Sequence, residues 1–335
     1  MKHASLAALA ALPPGWALHT AEAAPGQLPA GPRQPLAFAS WLYLEPAHQA
    51  QQLAGPVLSF FLEDSAAGRT VAQLYVALDY PAPGQASSPA RAPFGAVQAA
   101  PGVPAAALHA LLAAAEAALV ARGQQHLRLQ PPAPCYDPAG VATLAEVLAA
   151  RGYQPAQVET NYHLDPARDY LPHLHPSERR RLRRCQQAGL VPEQEPPYLL
   201  PLAYEFIARC RQERGYALSL TLEQVQALFQ AFPRQHRLFS VRKPGGDWAA
   251  LTIAIEASAG VLYHFSPASP LAENHLSPVV LLNESLHAYA RASHLAAVDL
   301  GTSTLPSGAP NEPLLRFKRY LGGVIGEKVG WERTL

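Results

Sequence analysis

Residues able to do chemistry gather near the end of the chain. His294–Gly323 reads HLAAVDLGTSTLPSGAPNEPLLRFKRYLGG. Leu295–Leu300 is an apolar run interrupted by Asp299 and predicts a buried strand. Gly301–Pro310 is a turn-rich loop whose hydroxyls include Thr302 and Ser303. Asn311 opens a short helix with Pro313 in its first turn and Gly322 past its end. In open α/β sheets ligands sit at the carboxyl ends of strands, facing helix N-termini. On that helix Leu314, Phe317 and Leu321 share one face, and Lys318 lies in line with Asn311 and Leu315 at its border. Lys318 either lays its stem on the core and its ammonium in water, or points into a cleft where burial tunes it.

The strand before this stretch carries Tyr263 and His264, of which alternation lets only one face a cleft. His264 is a candidate base near neutral pH, and Asp299 a candidate to orient one. Ser277 and Pro278 then predict a helix start with Ser277 as N-cap. The free N–H groups of Val279, Val280 and Leu281 would there favour a phosphate. Candidate catalytic residues are therefore His264, Asp299 and Lys318. Ser277, Val279, Val280 and Leu281 are candidates to bind a phosphate-bearing cofactor. Arg91, Tyr263, Thr302, Ser303 and Asn311 are candidates to bind substrate.

Other signals are weaker. Arg179–Arg184 sit on all sides of one helix, so some are solvated, although an RNA or phosphate contact is conceivable by type. His163, His173 and His175 lack the partners of a four-ligand zinc set, and no metal is expected. Cys135, Cys185 and Cys210 are scattered and odd in number, as for idle thiols in a reducing compartment. Lys2, Ala4–Leu12 and Ala21–Ala24 resemble a signal peptide loosely, but the apolar run is mostly alanine and stops at Pro13. The expectation is a cytoplasmic protein without a membrane span. A net charge of +1 gives no global reason to expect nucleic acid or an anionic membrane as partner.

These residues need elements to position them. With 335 residues, 49% of them hydrophobic, the chain supports about two domains with real cores. Val57–Leu62 and Thr70–Leu78 predict a hairpin, Pro81–Pro104 an irregular connection, and Pro104–Arg122 a helix. His126–Leu129, Val141–Arg151 and Glu159–Leu164 follow as strand, helix and strand. In the second half Pro176–Ala188, Tyr198–Arg214, Leu222–Phe232 and Ser277–Ser293 are helices. Arg237–Arg242, Trp248–Ile255 and Gly260–Ser266 are antiparallel strands, and Val324–Glu332 is a last strand. Each half runs hairpin, helix, strand, helix, strand, which implies a structural duplication with domains 1–170 and 171–335. A cleft between two such domains is a favoured place for ligands.

This order, with several strings, resembles the GNAT acyltransferase superfamily, and within it the FemAB-like branch with two GNAT domains in tandem. The strings are RRRLRRCQQAGL (Arg179–Leu190), ALTIAIEASAGVLYHFSPASP (Ala250–Pro270), LSPVVLLNESLHAYA (Leu276–Ala290) and VDLGTS…NEPLLRFKRYLGG (Val298–Gly323). The first half matches by element order and by ARAPFG (Ala90–Gly95). The superfamily's glycine-rich pyrophosphate loop is replaced by AENHLSP (Ala272–Pro278). The resemblance implies a mixed α/β (α+β) fold of two tandem GNAT-like domains, each a central mixed sheet flanked by helices. It implies an N-acyltransferase with no permanently bound cofactor, taking acyl-CoA (acetyl-CoA) as co-substrate and an amine as acceptor. The first domain would be structural or acceptor-binding and the second catalytic. Such transfer needs proximity, a proton acceptor and oxyanion stabilisation, without a covalent intermediate. Alternatives are an aminoacyl-tRNA-dependent peptidyltransferase on a cell-wall precursor, and a non-catalytic scaffold that binds a ligand or partner.

Overall fold

A computed structural model describes residues 12–52, 55–305 and 307–335. Most of the signal-like apolar run lies outside the described residues. Ala21–Ala23, part of the signal-like stretch, belong instead to a strand, β1 (Trp16–Ala23), paired with β2. The chain divides into two compact units, one of Met1–Val158 with Val329–Leu335 and one of Glu159–Lys328. The division therefore falls ahead of the boundary expected at residue 170, and the last seven residues, 329–335, join the first unit.

In the first unit β1 is followed by α1 (Pro46–Gln51), β2 (Val57–Asp64), β3 (Arg69–Ala77), β4 (Gln85–Ser88) and β5 (Gln98–Ala99). Then come α2 (Ala105–Val120), β6 (His126–Leu129) and α3 (Pro138–Ala150). The sheet order is β1-β2-β3-β4-β6, with β4 and β6 parallel. The expected hairpin is β2–β3. Alternation explains its two buried faces. Leu58, Phe60 and Leu62 pack with Leu108, Leu111 and Leu119 of α2, while Phe61 turns to the other side and meets Tyr75 edge-on. The stretch Pro81–Pro104 is less irregular than expected, since it contains β4 and β5. Its four-residue strand, QASS, has no run of large apolar side chains to announce it. Glu116, buried in α2, accepts from Arg151, Arg333 and the Tyr153 hydroxyl.

β7 (Gln154–Leu164) leads into the second unit. There follow α4 (Tyr170–His173), α5 (Pro176–Gln187), β8 (Val191–Glu195), α6 (Leu200–Gln212), α7 (Leu222–Ala231), β9 (His236–Arg242), β10 (Trp248–Ser258) and β11 (Val261–Ala268). The chain then forms α8 (Val279–Ala292), β12 (Ala297–Thr302), α9 (Glu312–Tyr320) and β13 (Val324–Thr334). The end of β13 pairs antiparallel with β6 in the first unit. From β7 the strand order in the second unit is β7-β12-β11-β10-β9-β8. β11 and β12 are parallel, and all other pairs are antiparallel. Val280, Leu281 and Leu286 of α8 bury against Ala254, Leu262 and Val298, and Leu182 of α5 and Leu321 join them. Full burial of each such side chain contributes about 1.5–3 kcal/mol.

Candidate active site

β11 and β12 pair only from Val261/Ala297 to Tyr263/Asp299. Past that point β12 bulges. His163 and Asn161 of β7, two residues apart, face Asp299 and Thr302, three apart. Gly301 sits in the bulge at φ 71°, a left-handed conformation that side chains resist. A Cβ there would also meet the Tyr263 ring at 3.2 Å. The bulge is held by Asp299, whose Oδ1 accepts from the Gly301 N–H at 2.8 Å and from Asn161 Nδ2 at 2.9 Å.

The result is that two successive carbonyls, Gly301 and Thr302, both accept from Lys318 Nζ, at 2.9 and 2.8 Å. Lys318 is only 7% exposed. Of the two readings of this lysine the buried one holds. Burial pushes its pKa down to about 8, against the opposing pull of the Asp299 and Glu159 carboxylates. At pH 7 about a tenth of it is thus neutral. A neutral amine that donates both N–H groups to carbonyls keeps its lone pair for a third direction.

The surroundings are polar and under-satisfied. His264 is buried, and its Nε2 has no hydrogen-bond partner among the described residues. The same is true of Asn161 Oδ1, Asn283 Oδ1 and Ser303 Oγ, all buried. Such orphaned groups are rare in native interiors and call for water or a ligand. Burial pushes His264 down to about 3, the Lys318 charge adds to this, and Asn283 opposes it. The ring is therefore neutral at pH 7 and a weak proton acceptor, which disfavours the base role expected of it. It remains a hydrogen-bonding group. Burial first, then the Asp299 and Glu159 charges, raise the Tyr263 hydroxyl well above its ordinary value.

The other expected residues fall as follows. Thr302 contributes its carbonyl rather than its hydroxyl. Asn311 caps α9, accepting from the Leu314 N–H, and its own N–H donates to the Ser303 carbonyl. Ser277 is not the N-cap of α8. Pro278 holds that place, no side chain caps the helix, and Ser277 adopts φ 59°. The Val280 N–H is spent on the Ser277 carbonyl, so of the three expected amides Val279 and Leu281 are left for an anion. Cys185 of α5 donates its thiol to the Leu276 carbonyl just before this helix start. Arg91 belongs to the first unit, where its guanidinium lies exposed over the Tyr80 ring. His173 accepts from Arg168, and His175 stacks on Tyr320. Among the described residues no group of three or more His, Cys, Asp or Glu could hold a metal, and no helix is long and apolar enough to cross a membrane.

Neither a family model nor a curated protein matches the sequence. Solved structures do match. The chain superposes on FemX with a TM-score of 0.65 at 13% identity, covering 83% of this chain and 87% of that one. A tandem GNAT protein from the clavulanic acid biosynthesis pathway gives 0.50 at 15% identity, over 95% and 98% of the two chains. The L-PGS of Bacillus licheniformis gives 0.53 at 13%, over 80% and 82%. This is a tandem GNAT fold. At these identities the likeness is one of architecture. In this chain the Lys318 cluster lies where β11 parts from β12, with Asn283 of α8 beside His264.

Asn161, Glu159 and Asn283 escaped the sequence reading. Glu159 accepts from the Thr304 hydroxyl at 2.6 Å and bears on Lys318. A signal for two of them was present. Glu159, Asn161 and His163 alternate along one strand, an unbroken polar face on a strand that ends buried. Asn283 is a single amide within an apolar helix and gives no pattern.

Proposed function

We propose that the chain is an N-acyltransferase that moves an acyl group from an acyl-CoA to an amine by direct attack. The observation that carries this is Lys318, buried, lowered to about 8, tied to two carbonyls and set among orphaned polar groups where β11 leaves β12. In the proposed reaction the neutral lysine takes a proton from the acceptor's ammonium. The freed amine attacks the thioester carbonyl, and a C–N bond forms. The tetrahedral oxyanion collapses, the C–S bond breaks, the thiolate leaves with the second proton of the attacking nitrogen, and Lys318 returns the proton it took to solvent. Asp299 positions the Gly301 carbonyl, and His264 Nε2 is a hydrogen-bonding group for substrate. The uncapped start of α8, with the Val279 and Leu281 amides, supports a seat for donor phosphates.

A second reading is transfer from an aminoacyl-tRNA. It is favoured by α5, which packs beside the start of α8 and exposes Arg180, Arg183 and Arg184, and by the likeness to FemX.

Thermal unfolding with acetyl-CoA tests the first reading. Ligand at about a hundred times its Kd should add about 2.7 kcal/mol of stability. A saturable shift that is lost in Val279→Pro, which removes one of the two remaining amides, supports the coenzyme A donor. No shift at millimolar ligand, with RNA binding that vanishes when Arg180, Arg183 and Arg184 are reversed in charge, would replace it with the tRNA reading.

A further inference from the structure

The second unit has a cavity of about 560 Å³ that plays no part in the Lys318 cluster. Leu199, Phe206, Trp248 and Pro270 supply its apolar wall. That size, with a mostly apolar lining and a few charged groups, is typical of small-molecule sites.

A buried carboxylate builds the wall. Glu195 ends β8 and is 4% exposed. It accepts from Trp248 Nε1 at 2.8 Å, from the Ser240 hydroxyl at 2.5 Å and from Arg242 Nη2 at 2.7 Å. The Arg242 guanidinium lies over the indole at 5.4 Å, and its other two nitrogens face Glu193 and the Gly246 carbonyl. Phe206 meets the same indole edge-on at 5.7 Å. The tryptophan is thus fixed on three sides, and its orientation needs no ordering when a ligand arrives.

Charges of both signs stand on the rim. Arg209 and Asp247 are exposed, and neither makes an ion pair or a side-chain hydrogen bond among the described residues. Glu213 is exposed too and, among the described residues, accepts only the Leu271 N–H at 2.8 Å. An apolar aromatic wall between one uncommitted cation and two acids matches a molecule with a large apolar body, one carboxylate and one ammonium.

We propose that this cavity binds a free α-amino acid with an aromatic or large apolar side chain. The side chain lies against Trp248 and Phe206, the carboxylate faces Arg209, and the ammonium faces Asp247 and Glu213. The site stands independently of acyl transfer at Lys318.

The test uses the full chain and L-phenylalanine. Of its four tryptophans, Trp16, Trp41 and Trp331 lie in the first unit, so Trp248 is the reporter of this cavity. The amino acid should give a saturable change in tryptophan fluorescence that Trp248→Phe removes, and a matching heat of binding in calorimetry. Phenylalaninamide and phenylpropionate should each bind about 1.5- to fivefold more weakly, the scale of exposed ion pairs, and glycine should give no response. Arg209→Ala should erase the difference between phenylalanine and its amide. Asp247→Asn with Glu213→Gln should erase the difference from phenylpropionate. The proposal is overturned by an absence of saturable signal in both measurements. It is equally overturned if the amide and phenylpropionate bind as tightly as the amino acid, or if Arg209→Ala leaves the amide penalty intact.

Discussion

Gly301 and Lys318 are 17 residues apart, and the ammonium of one rests 2.9 Å from the carbonyl of the other. The contact exists because β12 turns through a left-handed residue just where its partner strand departs. A regular strand would point successive carbonyls to opposite sides. Here both converge on one nitrogen.

If neutral Lys318 is the proton acceptor, the transfer rate rises with pH through about 8, where the lysine loses its proton. Lys318→Met should lower the rate by about 10²–10⁴, the usual contribution of a positioned base, and flatten the profile. A native rate that falls through the same pH would instead assign the ammonium an electrostatic role.

Asp299 holds the proton on Lys318, because its negative charge favours the ammonium. Asp299→Asn keeps an oxygen for the Gly301 N–H and removes the charge. The rising limb of the pH–rate profile should therefore move to lower pH. An unmoved limb would mean that Asp299 does not act on Lys318.

Gly301→Ala combines a positive φ with a contact to the Tyr263 ring at 3.2 Å. The backbone alone costs about 1–2 kcal/mol, which urea unfolding can read. Tyr263→Leu in the same chain should recover part of the loss. If Gly301→Ala unfolds like the native chain, the bulge is not specified as described.

Stability should also depend on pH at both ends. The lysine's folded value lies near 8 and its ordinary value at 10.5, so the unfolded chain binds more protons between them. Stability then rises with pH across that window, by up to about 3 kcal/mol at 1.36 kcal/mol per unit. His264 behaves likewise from about 3 to 6.5. Stability falls as pH drops through that range, because the unfolded chain takes up the proton that the buried ring refuses. Lys318→Met should lose the alkaline rise, and His264→Gln should blunt the acid fall.

The hairpins, the helices and the repeated order were legible because they follow from periodicity and turn residues. The Lys318 helix was legible as well, down to the lysine's odd place beside the Leu314–Phe317–Leu321 stripe. That Lys318 points inward depends on the Gly301 bulge, and a glycine after a strand reads the same whether its φ is positive or not. β1 and β4 were missed because their residues are small or mixed, and their strand state comes from the neighbours they pair with. Ser277 looked like a cap by type, but a cap is a matter of backbone angle, and here the angle is left-handed.

Residues 329–335 complete the first unit from the far end of the chain, and β6 has β13 as a neighbour. During translation that neighbour is absent while the whole second unit is being made. At roughly 5–20 residues per second the wait is on the order of ten to thirty seconds. Through that time β6 presents an unpaired edge, a template for any strand that passes. The nascent chain is thus most exposed to mispairing in the half that is synthesised first, and a holdase that covers this edge would act before the second unit has left the ribosome.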